Sequence, residues 1–430
     1  MGSESEQIRT AVRTAREHHL RRLRDGCRVS FGGLEPLQGW VGDELQTLGG
    51  SVSEFEVTES TLANQPAYHT TLAENPDELR TGTNVVGEFF GDNSSSILLY
   101  AHADTDPAAR EYVHAGHGLV ETDDRIVAPG VADDVSGLTA ILSALEVIAD
   151  SSLEPAHTVT VGSILGKQCG VAGTCELVRR HEPTDGAVYV HPAESGTGLS
   201  EIKVGSNGVL EFAIRLEGEQ PETSELHHTL FADSGQNPIS LAGRLGQHLE
   251  EWVASLDERY HHSAVEELAG RSAGVHLGGL DVEETAVYQV PTACRLRGVV
   301  SFPPGAPMGT VREAFEEAVA SFVADDPDLS SDRVIVEWGD LIADAAETDL
   351  DAPVAERTAA VLESVTGRTP SWYYGHAASD IRYPMRYWET ETLGFGPRAG
   401  DIGEPTEWVD ESEYLETITA LTRLLTTPIV

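Results

Sequence analysis

The sequence predicts a layered α/β domain interrupted by a second, smaller domain of split-βαβ type. Three observations predict it. Up to about Ser200, short strands that are apolar nearly throughout alternate with amphipathic helices, as in a sheet covered on both faces. After Ser200 the strands alternate strictly between apolar and polar residues, and their order with the helices becomes β-α-β-β-α-β. Near Asp349 the first pattern resumes, so the smaller domain reads as an insertion. At 430 residues the chain exceeds one ordinary core. The reading is a large domain over 1–204 and 343–430, with the insert over 205–342.

Element by element, residues 6–26 read as a helix with a basic face around Arg21, Arg22 and Arg24, and Gly39–Leu48 as a second helix. Val52–Val57 alternates as a strand. Thr83–Phe90 and Ser96–His102 read as paired strands, the second apolar enough to be covered on both faces. Gly137–Ile148 is an amphipathic helix, His157–Leu165 a buried strand, Gly170–Arg180 a helix and Gly186–Val190 another buried strand. In the insert, Val209–Leu216 is a strand, Pro238–Leu256 a long helix, Gly274–Leu280 and Ala293–Phe302 strands, Val311–Val323 a helix and Arg333–Trp338 the last strand. The large domain closes with helix Ala352–Thr366, strand Thr392–Gly396 and helix Ser412–Leu425.

The formal charge of −43 excludes a role built on phosphate contacts, because such a field repels nucleic acid. No apolar run reaches the length of a membrane span. The opening residues, Met1 to Gln7, are polar and acidic without a signal-peptide pattern, so a cytoplasmic location is the expectation. Of the 28 basic residues only Lys167 and Lys203 are lysine. An acidic, lysine-poor surface suits a salt-loaded, halophilic cytoplasm, where repulsion is screened and carboxylates hold water and cations. The four cysteines, Cys27, Cys169, Cys175 and Cys294, form no C-x-x-C pair and read as buried thiols.

Two segments could carry chemistry. Ala101-His102-Ala103-Asp104 lies at the carboxyl end of a buried strand, the edge where open α/β sheets bind ligands. His102 suits a metal, and a carboxylate two residues on could fix its tautomer. Gly130-Val131-Ala132-Asp133-Asp134-Val135-Ser136-Gly137 is a loop opening a helix, and a lone carboxylate there could bridge two cations. A hydrogen-bonded core histidine and a helix-capping aspartate are the plainer alternatives.

With these motifs the chain resembles metallopeptidase family twenty: the acetylornithine deacetylase, succinyl-diaminopimelate desuccinylase, aminoacylase and carboxypeptidase G group. The resemblance extends through Thr83-Asn84-Val85-Val86-Gly87, Gly205-Ser206-Asn207-Gly208, His228 ahead of Asn237-Pro238-Ile239, Ser379-Asp380-Ile381-Arg382 and Phe395-Gly396-Pro397. It implies a zinc-exopeptidase-like α/β/α catalytic domain with an inserted lid that mediates homodimerisation. It also implies zinc, and a small acyl-amino acid or peptide as substrate. Carried over by position, His102 matches the first zinc ligand, Asp104 its orienting partner and Asp133 the bridge. His191 falls where the family has an acidic ligand. His228 and Asn237 match the lid's histidine and asparagine.

The chain departs from the family at three places. Lys167 and Gln168 stand where a Glu-Glu pair supplies the general base and a ligand, and Gly403 stands where a late histidine binds zinc. Ser301 or a neighbour replaces an arginine near the lid's last strand. A single zinc on His102, Asp133 and His191 is therefore the expectation, and two are not. Lys167 could act as a neutral base, hold a substrate carboxylate, or stand in for a missing metal charge. Arg382 could anchor a substrate carboxylate or pair with Asp380, and His376 could line the cleft. The functional expectation is hydrolysis of an amide or related bond, with a silent, ligand-binding relative as the alternative.

Overall fold

The computed structural model describes residues 2–58, 60, 81–89, 95–122, 124–151, 153–167, 172–192, 195–326 and 329–429. Gln168 and Cys169 lie outside the described residues. The chain divides into two compact units, Met1–Gly205 with Glu347–Val430, and Ser206–Ala346.

The first unit is built on an eight-stranded sheet. Its spatial order is Ser51–Val57, Gly82–Phe89, Thr158–Ile164, Ser96–His102, Gly186–Val190, Thr392–Phe395, Glu201–Lys203 and Ser371–Tyr373. Gly82–Phe89 and Ser96–His102 are not partners, contrary to the sequence reading. Thr158–Ile164 lies between them, antiparallel to the first and parallel to the second. Ser96–His102, whose last six residues are all buried, is thus flanked on both edges, by Thr158–Ile164 and by Gly186–Val190. An apolar strand covered on both faces gains most in the middle of a sheet. Four neighbouring strands run parallel, so the chain leaves Ser96–His102, Thr158–Ile164, Gly186–Val190 and Thr392–Phe395 at one edge of the sheet.

Helix Ser136–Ala149 is buried at all but two positions, because SGLTAILSALEVIA is apolar or small around most of its circumference. The expected single N-terminal helix is two, Gly2–Thr14 and Arg16–Ser30, broken at Ala15 without a glycine or proline to mark it. Its basic face is not wholly solvated. Arg22 is buried, with Nη1 donating to Glu146 Oε2 at 2.6 Å and Nη2 to Glu44 Oε2 at 2.9 Å.

A small antiparallel sheet joins Ala399–Gly400, Trp408–Asp410, Arg125–Val127 and Val120–Glu121. Strands of two or three residues are too short to show alternation, so the sequence carries no sign of them.

The second unit is built on an antiparallel run of four strands within a six-stranded sheet, ordered Gly274–Val282, Ala293–Phe302, Gly205–Glu217, Val334–Ala343. With helices Pro238–Arg259 and Met308–Asp325 this is the split-βαβ plan. Its core packs Leu210, Phe212, Ile214 and Leu216 of one strand against Leu241, Leu245 and Leu249 and against Phe315. Phe212 and Phe315 lie 4.6 Å apart between ring centroids. Among the described residues no helix is long and apolar enough to cross a membrane. Cys27, Cys175 and Cys294 are buried free thiols.

Candidate metal centre

His102 ends one central strand and His191 follows its neighbour, Gly186–Val190, directly. Between them in sequence, the turn Val131–Val135 precedes helix Ser136–Ala149 and carries Asp133. Gly130 begins that turn at φ 75°, where a side chain would be strained and would also strike Thr105. A Cβ on Gly137 would collide with the carbonyl oxygen of Val190 and with Asp134, so glycine there lets the helix approach the strand. The two aspartates divide their work. Asp134 accepts from the backbone N–H of Gly137 at 3.3 Å and of His102 at 3.3 Å, while Asp133 faces the histidines. The Asp133–Asp134 peptide bond is cis.

Three side chains converge on one oxygen. Asp133 Oδ1 lies 2.8 Å from His102 Nε2, 2.7 Å from His191 Nε2 and 2.8 Å from Lys167 Nζ. Lys167 Nζ also reaches Asp133 Oδ2 at 3.1 Å. Asp133, His102 and His191 are all buried; Lys167 is partly so. The imidazole rings of His102 and His191 are stacked, with centroids 5.6 Å apart.

The other ring nitrogens fix the tautomers. His102 Nδ1 lies 2.7 Å from the backbone oxygen of Asp104, and His191 Nδ1 lies 2.7 Å from that of Pro192. A carbonyl oxygen only accepts, so both Nδ1 atoms carry a proton, and both Nε2 atoms face Asp133. The orienting group of His102 is thus first the Asp104 carbonyl. The Asp104 carboxylate stands farther off, at 3.6 Å, and accepts the backbone N–H of Lys167 at 3.2 Å.

The electrostatics of the group are set by Asp133 and the positive charges against it. Burial alone would strip the second proton from His102, but the Asp133 charge and the bonds to Asp104 and Asp133 outweigh it and hold its pKa well above the usual range. Burial would raise Asp133, yet Lys167 and His102 hold it well below the usual carboxylate range. Two imidazole nitrogens and an ammonium crowd one carboxylate oxygen that has two lone pairs. A divalent cation held by His102, Asp133 and His191 would relieve that crowding once His102 gave up its second proton. The three donors lie within 4.8 Å of one another and are the one such group among the described residues. Two imidazoles and a carboxylate are a donor set that suits zinc.

Glu407 has a part that the sequence reading missed. It is buried, its Oε1 accepts the backbone N–H groups of Ala132 at 2.6 Å and Asp133 at 2.9 Å, and its Oε2 accepts that of Gly403 at 3.1 Å. Burial and then the Asp133 charge push its pKa up to about 7. The residue stood in the segment read only for its missing histidine. The sequence carries little signal for it: Glu404 stands three residues earlier, and only Trp408 and Val409 follow before Asp410.

The remaining candidates are placed as follows. His376 lies edge-on to His191, with ring centroids 6.5 Å apart. Arg382 is buried, its guanidinium over the Tyr383 ring at 4.8 Å, and its Nη1 has no hydrogen-bond partner among the described residues. Asp380 accepts from Thr174 Oγ1 at 2.7 Å. His228 and Asn237 belong to the second unit. His228 Nδ1 accepts the Val290 N–H at 3.2 Å, which leaves the ring proton on Nε2, and Asn237 Oδ1 caps helix Pro238–Arg259 through the Ile239 N–H at 3.0 Å.

A sheet edge carrying a buried His-Asp-His group, together with a split-βαβ unit inserted in the chain, defines a metallopeptidase-type α/β protein. The model of peptidase family M20/M25/M40 matches residues 98–427, and the chain belongs to that family. The N-formyl-4-amino-5-aminomethyl-2-methylpyrimidine deformylase of Bacillus subtilis is 23% identical over 314 residues, which span 71% of this chain and 66% of that enzyme, just under two thirds. Among solved structures, the aminopeptidase PepT of Bacillus cereus superposes with a TM-score of 0.72 at 15% identity, covering 96% of this chain and 98% of that one. A Bacillus subtilis protein described as a dinuclear metal binding peptidase of the family superposes with a TM-score of 0.63 at 11% identity, covering 96% and 98%.

Proposed function

We propose that the protein hydrolyses an amide bond of a small N-acyl amino acid or peptide, using one zinc ion held by His102, Asp133 and His191. The observation that carries this reading is the pair of imidazoles, each held by a backbone carbonyl at Nδ1, whose Nε2 atoms converge on a single carboxylate oxygen. Zinc in that position supplies Lewis acidity toward a carbonyl oxygen and toward water. The chain's own groups hold the site in place. The carbonyls of Asp104 and Pro192 hold the two rings in register, and Glu407 holds the Asp133 loop through its backbone N–H groups. For His228, with its proton on Nε2, we propose a catalytic role as a hydrogen-bond donor. For Asn237, Arg382 and His376 we propose substrate binding, with Arg382 contacting a carboxylate. The likeness to a deformylase and an aminopeptidase supports cleavage of a C–N bond. We also propose a homodimer formed through the second unit, whose edge strand Gly274–Val282 exposes Leu280 and Val282.

The second reading is a catalytically inactive relative that binds a small ligand or a partner protein. It is favoured by the seat of Lys167, whose ammonium lies on Asp133 where it cannot accept a proton. One experiment separates the two. The zinc-loaded protein is screened against N-formyl, N-acetyl and N-succinyl amino acids and dipeptides, with release of a free amine as the signal. Release that disappears in His102→Ala and Asp133→Asn supports the hydrolase; no release from any substrate supports the inactive relative.

A further inference from the structure

We infer that the Lys167 ammonium occupies the place of a second cation on the Asp133 carboxylate, so that the chain binds one divalent ion where a dinuclear relative binds two. The inference rests on the metal reading above and deepens it.

A carboxylate that bridges two metal ions offers one oxygen to each. In this chain Asp133 Oδ1 faces the two imidazoles, and Lys167 Nζ spans both oxygens, at 2.8 and 3.1 Å. An ion approaching Oδ2 would therefore meet a fixed positive charge at contact distance in a buried setting, where repulsion is poorly screened. Two of the carboxylates near the group are engaged elsewhere. Glu407 spends both oxygens on backbone N–H groups, and Asp104 Oδ1 accepts the backbone N–H of Lys167 itself. Among the described residues, His102, Asp133 and His191 are the one converging group of three donors.

The position of the lysine in the sequence is a second, independent observation. The chain has 28 basic residues and only two lysines. Lys167 is seated on Asp133, and Lys203 is buried with its Nζ 5.5 Å above the ring of Tyr189, which in turn stacks on His191 at 5.0 Å. A chain that otherwise uses arginine thus places both of its lysines around the His-Asp-His group. A compact ammonium fits the volume of a metal ion, whereas a planar guanidinium does not.

The experiment is a metal count. The intact protein is stripped with chelator, titrated calorimetrically with zinc alone and then with cobalt alone, and analysed for bound metal after dialysis. The same is done for Lys167→Met, which removes the charge at similar volume, and Lys167→Glu, which offers a carboxylate instead; circular dichroism checks that each folds. The expected result is one ion per wild-type chain. Lys167→Met should bind that ion at least about tenfold more tightly, since a neighbouring positive charge is gone. Lys167→Glu should bind a second ion. Two ions on the wild-type chain overturn the inference and leave the metal reading standing. One ion on every chain with unchanged affinity also overturns it. No ion on any chain sinks the metal reading itself.

Discussion

Tyr100 and Tyr189 stand opposite each other on adjacent parallel strands, their rings stacked with centroids 5.1 Å apart, and each precedes a site histidine by two residues. In a strand, residues two apart share a face, so the tyrosine pair forms a floor beside His102 and His191. Tyr189 also stacks on His191 at 5.0 Å, and the three aromatic rings make one continuous stack. Both tyrosine hydroxyls are buried without a hydrogen-bond partner among the described residues. The rings are therefore the stabilising part and the hydroxyls are a cost.

Conservative and radical substitutions at Tyr189 should consequently diverge. Tyr189→Phe removes a buried, unpaired hydroxyl and should leave stability unchanged or raise it by up to about 1 kcal/mol. Tyr189→Ala empties the stack and should lower stability by about 3–5 kcal/mol. Urea unfolding of the two variants beside the wild type measures both. A Tyr189→Phe chain destabilised by more than about 1 kcal/mol would mean that the hydroxyl is bonded after all.

Glu407 should matter to metal affinity without touching the metal. Its carboxylate holds the Ala132 and Asp133 N–H groups, so Glu407→Ala leaves buried donors unpaired and frees the loop that aims Asp133. The expected losses are about 1–3 kcal/mol in unfolding free energy and roughly 10–100-fold in zinc affinity. Glu407→Gln keeps one acceptor oxygen and should retain most of both. If zinc affinity in Glu407→Ala equals that of the wild type, Glu407 has no positioning role.

The layered fold and the split-βαβ unit were legible because their strands and helices are long enough for a period to emerge. Ser96–His102 and Gly186–Val190 were found at their observed bounds for that reason. Pairing was less legible: an all-apolar strand announces burial but not its neighbours, and Thr158–Ile164 was not foreseen between Gly82–Phe89 and Ser96–His102. Within the site, His102 could be proposed from residue type and position, and Asp133 and His191 from the family resemblance. The grip of Glu407 on the Asp133 loop could not, since it depends on a sheet of two- and three-residue strands that draws the segment around Gly403 to the loop around Asp133. Nor could the Asp104 carbonyl be seen as the closer partner of His102, because backbone groups leave no trace in residue identity.

A pH dependence follows from His19. It is buried in helix Arg16–Ser30 beside Arg22, and neither ring nitrogen has a hydrogen-bond partner among the described residues; Glu146 comes no closer than 3.9 Å. Burial, only partly countered by Glu146, lowers its pKa to about 4. In the unfolded chain an imidazole titrates near 6.5. Above that pH both states are neutral and His19 adds no slope. As pH falls from about 6.5 toward 4, the unfolded state binds the proton first, so stability drops by roughly 2–3 kcal/mol. Many carboxylates titrate in the lower part of this window, so the measurement is a difference. Unfolding free energies of wild type and His19→Leu are compared at pH 7 and pH 5, and the variant should lose less stability than the wild type. Equal losses would rule out His19 as the source.

Salt should stabilise the chain. It carries 71 acidic and 28 basic residues, and a net charge of −43 makes the folded state repel itself. Some acidic side chains are tied to arginine, as Asp281 is to Arg297 and Asp326 to Arg244, both at 2.7 Å, but the excess of carboxylates is too large for pairing to absorb. The screening length shrinks from about 10 Å at 0.1 M salt to about 3 Å at 1 M, which removes most repulsion between surface groups that are not in contact. The chain should therefore be more stable at high salt than at low. Its thermal midpoint should climb steadily between 0.1 and about 2 M KCl, and most of the gain should already appear by about 1 M, where screening is nearly complete. Sodium chloride should act like potassium chloride if screening is the cause, whereas specific cation binding would separate the two. A midpoint that stays level or falls as KCl is added would show that surface repulsion is not what limits this protein's stability.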